Sequence, residues 1–318
     1  MHRLIASDFD QQFCESIQKN ATFFDTFLTL FCPLFACILD KFPAPKGETS
    51  SCLFAVPHLH KAMRLLASFI TLVLPVAVVA QIEAPDTEFA DYLVAPVHVH
   101  RLVTQGELNL TTTLEAKDIN RIFTKVNRIW GHAGIHLPVQ TITTEAAANP
   151  NVYRQNYKSR QLGWMLALRP KASQSTNQFH VYYLKRFLAN GVYIGPGGMF
   201  VKDTARLRQT EGGIDEPIPR VTSHELGHAL TLKHRQNVTN LLASGTSGWT
   251  FNETEIKQAR LAAKKLKWSR PAKTILAEAD QLHEKGERKQ AAILYKLVAD
   301  IPLHCPETTR AKKRAGLD

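Results

Sequence analysis

Three histidines and a glutamate within the segment 224–234 have the residue types and the spacing of a zinc site. His224 and His228 are four residues apart, so on a helix their imidazoles project from one face, one turn above the other, where one tetrahedral zinc can take both. Glu225 is turned about 100° around the helix axis from His224, beside the metal, and can take a proton from a water there. His234 follows beyond the expected helix end as a third ligand. Three protein ligands leave the fourth position open, as in catalytic zinc sites.

The pattern HExxHxxxxxH in this segment resembles the zinc signature HExxHxxGxxH of the metzincin metallopeptidases. Downstream, residues 240–245 (NLLASG) are similar to the Asn-Leu-Met-Ala-Ser-Gly turn of the matrixin-like members. The resemblance implies a zinc-dependent peptidase, with Zn²⁺ as its cofactor. The implied site consists of the zinc ligands His224, His228 and His234, the general base Glu225 and, at the methionine position of the turn, Leu242.

Two residues depart from the pattern of that family. Thr231 stands where the family has a glycine, which lets the chain turn sharply out of the helix with a positive φ. A β-branched residue is an outlier in that conformation, so we expect either a different turn or a less well placed His234. Leu242 replaces methionine and conserves volume, at a cost typically below about 1.5 kcal/mol. No tyrosine lies between His234 and Lys267, which favours the matrixin-like branch over those with a tyrosine ligand after the Met turn.

The elements that must position these residues alternate between strand and helix patterns. Residues 92–103, 136–143 and 178–187 are rich in β-formers. A capping box at Thr112 and Glu115 opens an amphipathic helix that continues to about Ala133. We therefore predict an α+β fold of the zincin or metzincin type, in which two helices pack on a twisted mixed sheet and the second helix carries the zinc ligands.

A short strand before the zinc helix is the candidate for binding the substrate main chain. In metzincin-like folds this strand is a sheet edge along the cleft, and an edge strand has unpaired backbone groups that can pair with an extended peptide. We expect that role for Gly198, Met199, Phe200, Val201 and Lys202. The alternative is an ordinary hairpin strand.

The N-terminal part has the pattern of an export signal. Lys61 and Arg64 precede an apolar run that starts at residue 65 and ends in small residues at Ala80, so we interpret residues 63–80 as a signal peptide. The predicted location is secreted or periplasmic; the alternative is a membrane anchor formed by 65–80. Residues 1–62 are interpreted as an extension absent from the working protein. They hold four of the five cysteines, so a chain cleaved after Ala80 keeps Cys305 alone and forms no internal disulfide.

The C-terminal part has a different composition from the predicted peptidase domain, 81–268. Residues 271–318 predict a helical subdomain whose hairpin is weakly similar to a tetratricopeptide repeat. Residues 257–318 hold 15 lysines and arginines against 7 acidic residues, in a chain of net charge +11. This basic region could contact an anionic envelope surface, although solvated helix faces are the simpler explanation. No nucleic-acid motif is present, and we expect a monomer.

These observations predict an exported zinc endopeptidase that hydrolyses peptide bonds of peptide or protein substrates with Glu225 as the base. Two alternatives remain open at this level. One is a cell-wall peptide amidase that uses the same site. The other is an inactive zinc-binding protein that acts through its helical tail. This hypothesis is motivated by Thr231, which stands where the family has a glycine.

Overall fold

The structure is a computed structural model and describes residues 87–175 and 177–317. The predicted extension (1–62) and signal segment (63–80) lie outside these residues. None of the helices in the described part is long and apolar enough to cross a lipid bilayer.

A five-stranded mixed sheet forms the framework of the site-bearing part. The order is β4-β2-β5-β7-β6, with every neighbouring pair parallel except the antiparallel pair β6 and β7. The strands are β2 (Val97–Leu102), β4 (Val139–Glu145), β5 (Phe179–Leu184), β6 (Gly191–Tyr193) and β7 (Met199–Lys202). Two further short strands are β1 (Leu93–Val94) and β3 (Ile135–His136). The α+β prediction is confirmed.

The position of β7 corrects the prediction that residues 198–202 form an exposed edge. β7 lies between two strands: Val201 pairs with Tyr183 of β5 on one side and with Gly191 of β6 on the other. The chain makes β6 first, reverses through a turn at Gly195–Gly197 and inserts β7 between β6 and β5. Within the described residues, β6 is therefore the outer strand at this side of the sheet.

Two long helices cover one face of this sheet. They are α1 (Ala116–Gly131) and α3 (Pro217–Ala229). Alternate strand residues such as Val99, Val181 and Val201 join both helices in one buried cluster, as the two-residue period of a strand requires. The capping box of α1 is formed by Glu115 and Asp118. Thr112, which the sequence assigned to that box, instead donates its hydroxyl to Asp203.

The opposite face of the sheet is covered by the segment between β4 and β5. It contains the short helix α2 (Pro150–Asn156) and the 3-10 turns Leu162–Leu168 and Lys171–Ser173. Tyr182 and Phe200, which alternate with the helix-facing residues, form a second buried cluster with this segment.

The C-terminal helices pack on the start of the described chain. They are α5 (Ala272–Glu284), α6 (Arg288–Ala299) and α7 (Pro306–Ala315), preceded by α4 (Glu253–Lys265) and the two-residue strand β8 (Arg270–Pro271). The third helix, α7, extends the predicted hairpin. β1 pairs with both β3 and β8, and Tyr92 and Val94 share a buried cluster with α5, α6 and α7.

Candidate metal centre

Helix α3 and the turn that ends it bring the three histidines to one point. The Nε2 atoms of His224 and His228 are 3.1 Å apart, those of His228 and His234 are 3.1 Å apart, and those of His234 and His224 are 3.2 Å apart. Nitrogens bound 2.0–2.1 Å from a tetrahedral zinc are about 3.3 Å from one another. Of the histidine, cysteine and acidic residues that the structure describes, this is the one group of three or more whose ligand atoms meet closely enough for a metal.

The second ring nitrogens of the two helical histidines are held by backbone carbonyls. Nδ1 of His224 lies 2.8 Å from the carbonyl oxygen of Leu241, and Nδ1 of His228 lies 2.9 Å from that of Leu232. A carbonyl only accepts, so each Nδ1 carries the hydrogen and each Nε2 presents its lone pair to the common point. This is the arrangement that orients imidazole ligands in metal sites.

The turn after α3 has the geometry that the sequence analysis considered unfavourable for threonine. Thr231 takes φ 69°, alone among the non-glycine residues that the structure describes. Its N–H donates to the carbonyl of His228 (3.0 Å), and the N–H of Leu232 donates to that of Gly227 (2.9 Å), which is a Schellman motif. The expectation of a different turn or a displaced His234 is wrong. The left-handed residue turns the Leu232 carbonyl back towards His228 and leads the chain to His234.

Gln258 of α4 holds this turn from outside. Its Nε2 donates to the carbonyl oxygen of Thr231 (2.6 Å) and contacts the Thr231 hydroxyl oxygen at 3.3 Å. Strained backbone conformations persist where neighbouring contacts fix them. The hydrogen bond from α4 to this turn thus offsets part of the conformational cost of threonine at position 231.

Glu225 lies beside the three histidines and is nearly fully buried. Burial raises the pKa of its carboxyl to about 8, while the backbone N–H of Tyr193 and the charge of Arg220 act in the opposite direction. Strand β6 passes so close that a Cβ on Gly191 would lie 2.6 Å from Oε1 of Glu225 and 2.6 Å from Cγ1 of Val221. The Glu225 carboxylate fits in this position because Gly191 has no side chain.

Arg220, one turn before His224 on α3, was not singled out by the sequence. Its buried guanidinium donates to the carbonyls of Gly248 (3.0 Å), Asn240 (3.4 Å) and Ala243, and contacts Nδ1 of His224 at 3.3 Å. It thereby fixes the 240–248 loop, which supplies the Leu241 carbonyl to His224. The one indication of this role in the sequence was the four-residue spacing between Arg220 and His224. Because an arginine on a helix is usually solvated, that spacing alone did not identify it.

The 240–248 loop, whose sequence is similar to a Met turn, lies directly under helix α3. Leu242 is fully buried, and its Cδ1 would lie 3.3 Å from a Cβ on Gly227. Asn240 shapes the loop: its Oδ1 accepts from the N–H of Leu242 (2.7 Å), and its Nδ2 donates to the buried Glu255 of α4 (2.7 Å). Leu242 thus supports the site from below and contributes no polar atom to it.

Strand β6 leaves backbone groups open beside the histidines. Asn190 and Ile194, at its two ends, bond across to Lys202 (2.8 Å) and Gly198 (3.1 Å). Since an antiparallel strand alternates its bonding side, the backbone groups of Gly191 and Tyr193 face away from β7. A cavity of about 380 Å³ lies there, between β6, the histidines and Ser244–Gly245 of the loop.

The structure separates the histidines of β2 and β5 from this centre and joins them to one another. On the face away from α3, Nε2 of His100 lies 2.8 Å from Nδ1 of His180, and Nδ1 of His100 lies 2.7 Å from Glu145. The ring of His98 stacks on that of His180. Both His100 and His180 are buried, and burial lowers the pKa of each to about 4, reinforced by the neighbouring imidazoles.

Comparison with known proteins shows a distant structural similarity. No protein-family model matches the chain, and no curated protein matches it. Among solved structures, it is similar to metalloproteinase-II from Bacteroides fragilis, with 10% sequence identity and a TM-score of 0.34. The match covers 57% of this chain and 56% of that chain. The assignment of a function therefore depends on the geometry of the histidine site itself.

Proposed function

We propose that this protein is a zinc-dependent endopeptidase of the metzincin type, acting on exported or extracellular proteins. The observation that carries the proposal is the convergence of three Nε2 atoms at 3.1–3.2 Å, with the Glu225 carboxylate beside them. Imidazole ligands also suit copper, iron and nickel. Zinc is favoured because three imidazoles at near-tetrahedral spacing with one open position make a catalytic zinc site.

The residues of the chain have distinct roles in this proposal. His224, His228 and His234 would hold the ion, which when bound polarises the scissile carbonyl and makes water a nucleophile near neutral pH. Glu225, whose carboxyl the charge of the bound ion would keep ionised at neutral pH in spite of its burial, takes the proton of the attacking water and delivers it to the leaving amine. The carbonyls of Leu241 and Leu232 keep the imidazoles in the ligating tautomer, and Arg220 holds the loop that supplies the Leu241 carbonyl.

We assign main-chain binding of the substrate to β6, in place of residues 198–202. The C=O and N–H of Gly191 and the C=O of Tyr193 face the cavity that contains the histidines, so an extended peptide can add to the sheet there. The N–H of Tyr193 is directed to Glu225. The same strand would thus position both the general base and the bond that it helps to break.

The location stays part of the proposal, because residues 63–80 are outside the described structure. A signal peptide that directs secretion or export to the periplasm fits the sequence best, and an uncleaved anchor is the alternative. N-terminal sequencing of the exported product distinguishes them: cleavage after Ala80 supports the first, and a product that retains residues 65–80 supports the second.

Metal analysis combined with a cleavage assay tests the proposal. The purified protein should hold one zinc per chain and cleave a mixed peptide library in a chelator-sensitive manner. Glu225→Ala should keep the metal and lose turnover, whereas His228→Ala should lose the metal. His304→Ala, at an exposed histidine of the C-terminal part, is the matched control and should change neither.

Two outcomes would contradict the proposal in different ways. Bound zinc without cleavage of any peptide would favour the alternative of an inactive zinc-binding protein that acts through its helical tail. The turn at Thr231 is no longer an argument for that alternative, because His234 lies with the other two histidines. Cleavage confined to cell-wall fragments would favour the amidase.

A further inference from the structure

A second cavity, of about 520 Å³, lies next to the one that contains the histidines, since Arg206 of its lining bonds to Asn190 of the other. The two cavities have no lining residue in common, but at two places a residue that lines one is followed in the chain by a residue that lines the other. Leu188 lines the second cavity and Ala189 the first; Arg206 lines the second and Leu207 the first. The second cavity therefore extends the cleft beyond the N-terminal end of β6.

The lining of this extension is strongly cationic. Lys158, Lys185, Arg186, Lys202 and Arg206 all face it, and its lining includes no acidic residue. None of the five takes part in an ion pair with another described residue. A concave surface with one sign of charge focuses the field and concentrates ligands of the opposite sign.

The arrangement of the cations is held by specific bonds. Asn190 links β6 to the 204–206 loop, since its Nδ2 donates to the carbonyl of Arg206 (2.7 Å) and its Oδ1 accepts from the Arg206 N–H (3.3 Å). The hydroxyl of Thr204 donates to the carbonyl of Lys185 (2.8 Å). These bonds keep the 204–206 loop and the 185–190 segment together at the end of the edge strand.

Nearby acids do not neutralise the cavity. Asp203, next to Lys202, directs one carboxylate oxygen to the hydroxyl of Thr112 (2.8 Å) and the N–H of Thr113 (2.7 Å). Partial burial lowers the pKa of Lys202, and the charges of Arg186 and Arg206 lower it further. Lys202 remains half-buried among cations, with the Phe187 carbonyl as its partner at 3.4 Å.

We propose that this basic cavity is a subsite of the cleft that binds acidic side chains of the substrate peptide on the C-terminal side of the scissile bond. The inference rests on the proposed peptidase function. Its direction follows from the sheet: a peptide that pairs antiparallel with β6 runs from Tyr193 towards Gly191, so the residues after the scissile bond reach the cations. An extended peptide is favoured over other polyanions because the cavity continues an open strand edge.

Paired peptides give the test. Two decapeptides carry the sequence best cleaved from a mixed library, one with glutamate and one with glutamine at the second to fourth positions after the scissile bond. We expect kcat/KM to be about tenfold higher for the glutamate peptide, the size of one charge-assisted contact, with a smaller ratio in high salt. Arg186→Glu combined with Arg206→Glu should bring the ratio to one or invert it. The control Arg288→Glu combined with Lys289→Glu, on exposed sites of the C-terminal helices, should leave it unchanged.

A binding measurement separates this inference from the peptidase proposal. Fluorescence anisotropy with both peptides on the Glu225→Ala protein reports the cavity without turnover, and the glutamate peptide should bind more tightly. If no peptide of the library is cleaved, two decapeptides of one fixed sequence that differ only in three consecutive glutamates or glutamines serve as the pair; tighter binding of the glutamate form then leaves a binding site for acidic side chains while the peptidase proposal fails. Equal binding and equal cleavage of both peptides overturns the subsite while the peptidase stands. Displacement of the glutamate peptide by polyphosphate of equal charge, without any cleavage preference, would assign the cavity to a non-peptide polyanion and also overturn it.

Discussion

Thr231 has an unfavourable backbone conformation at a position on which the proposed metal site depends. A left-handed conformation costs an L-residue about 1–2 kcal/mol, and glycine avoids this cost while losing about 0.5–1 kcal/mol through its greater freedom in the unfolded chain. The residue also ends the helix that carries two of the ligands, so its conformation decides where the Leu232 carbonyl and His234 lie. The strain is local and is offset by Gln258 from the neighbouring helix.

Thr231→Gly should stabilise the protein by about 0.5–1 kcal/mol, because the turn stays the same and the left-handed penalty disappears. Urea unfolding of the metal-free protein measures this change, and zinc affinity should stay within a few-fold of the parent. Thr231→Ala is the control, because alanine keeps the penalty. An equal gain from alanine would show that the side chain, and not φ, was unfavourable.

Gly191→Ala should impair turnover without loss of metal. The new methyl group would overlap the Glu225 carboxylate and Val221, so the general base has to move. A displacement of about 1 Å at a catalytic group can reduce kcat about 100-fold. Gly163→Ala is the matched control, since a Cβ there meets nothing within 4 Å. Unchanged kcat in Gly191→Ala would mean that Glu225 does not need its present place.

At the scale of elements, the two faces of the main sheet carry different chemistry. The face under α1 and α3 is apolar and supports the metal centre. The other face buries the linked side chains of Glu145, His100 and His180 beneath the α2 segment. Because buried imidazoles resist protonation, this second face makes the fold sensitive to acid.

Stability should fall as the pH is lowered from about 6.5 towards 4. Burial lowers the pKa of His100 and of His180 to about 4, below the 6.5 of a free imidazole, so the unfolded chain binds protons first and is favoured across this window. Arg169 acts in the same direction on His180, and Glu145 faces His100. Replacement of His100 by glutamine, which can bond to both neighbours, should reduce the loss between pH 6.5 and 5 by about 1–2 kcal/mol. Urea titrations at both pH values provide the comparison, and an unaltered pH dependence in His100→Gln would refute this origin.

For the whole molecule, the C-terminal helices belong to the same compact unit as the metal centre. Tyr92 and Val94 are fully buried in their cluster, and β8 completes the small sheet with β1 and β3. Arg260 of α4 adds bonds to the carbonyls of Asp91, Ala133 and Gly134. The region that resembles a separate module in sequence therefore covers apolar surface of the first described residues.

A chain that ends after Trp268 should be strongly destabilised, because it exposes Tyr92, Val94 and Phe89 and loses one strand of the small sheet. Thermal unfolding of the full chain should show a single transition, which the shortened chain lacks or shows at a much lower temperature. A chain that ends after Gly316 is the control and should unfold as the parent does. An identical Tm for both shortened forms would make the C-terminal helices an independent appendage.

The sequence was informative for several features that depend on local spacing, although the capping box that it assigned to Thr112 and Glu115 is formed by Glu115 and Asp118. His224, Glu225 and His228 depend only on the helical period, and the Asn252–Glu255 capping box of α4 forms as such boxes are expected to. Features that depend on distant partners were missed. Strand order is one: the edge belongs to β6 because β7 pairs with β5, and no local pattern in residues 198–202 shows that. The conformation of Thr231 is another, because a bond from Gln258, 27 residues away, helps to hold it.

The three histidines of the candidate site lie within a short segment of the chain. His224 and His234 are separated by only ten residues, so bringing their rings together closes a small loop at low entropic cost. The framework that orients them, including the Leu241 carbonyl, lies further along the polypeptide. We therefore expect a refolding chain to bind its ion on this segment before the strands assemble. The ion would then nucleate the final structure and would not be a late addition to it.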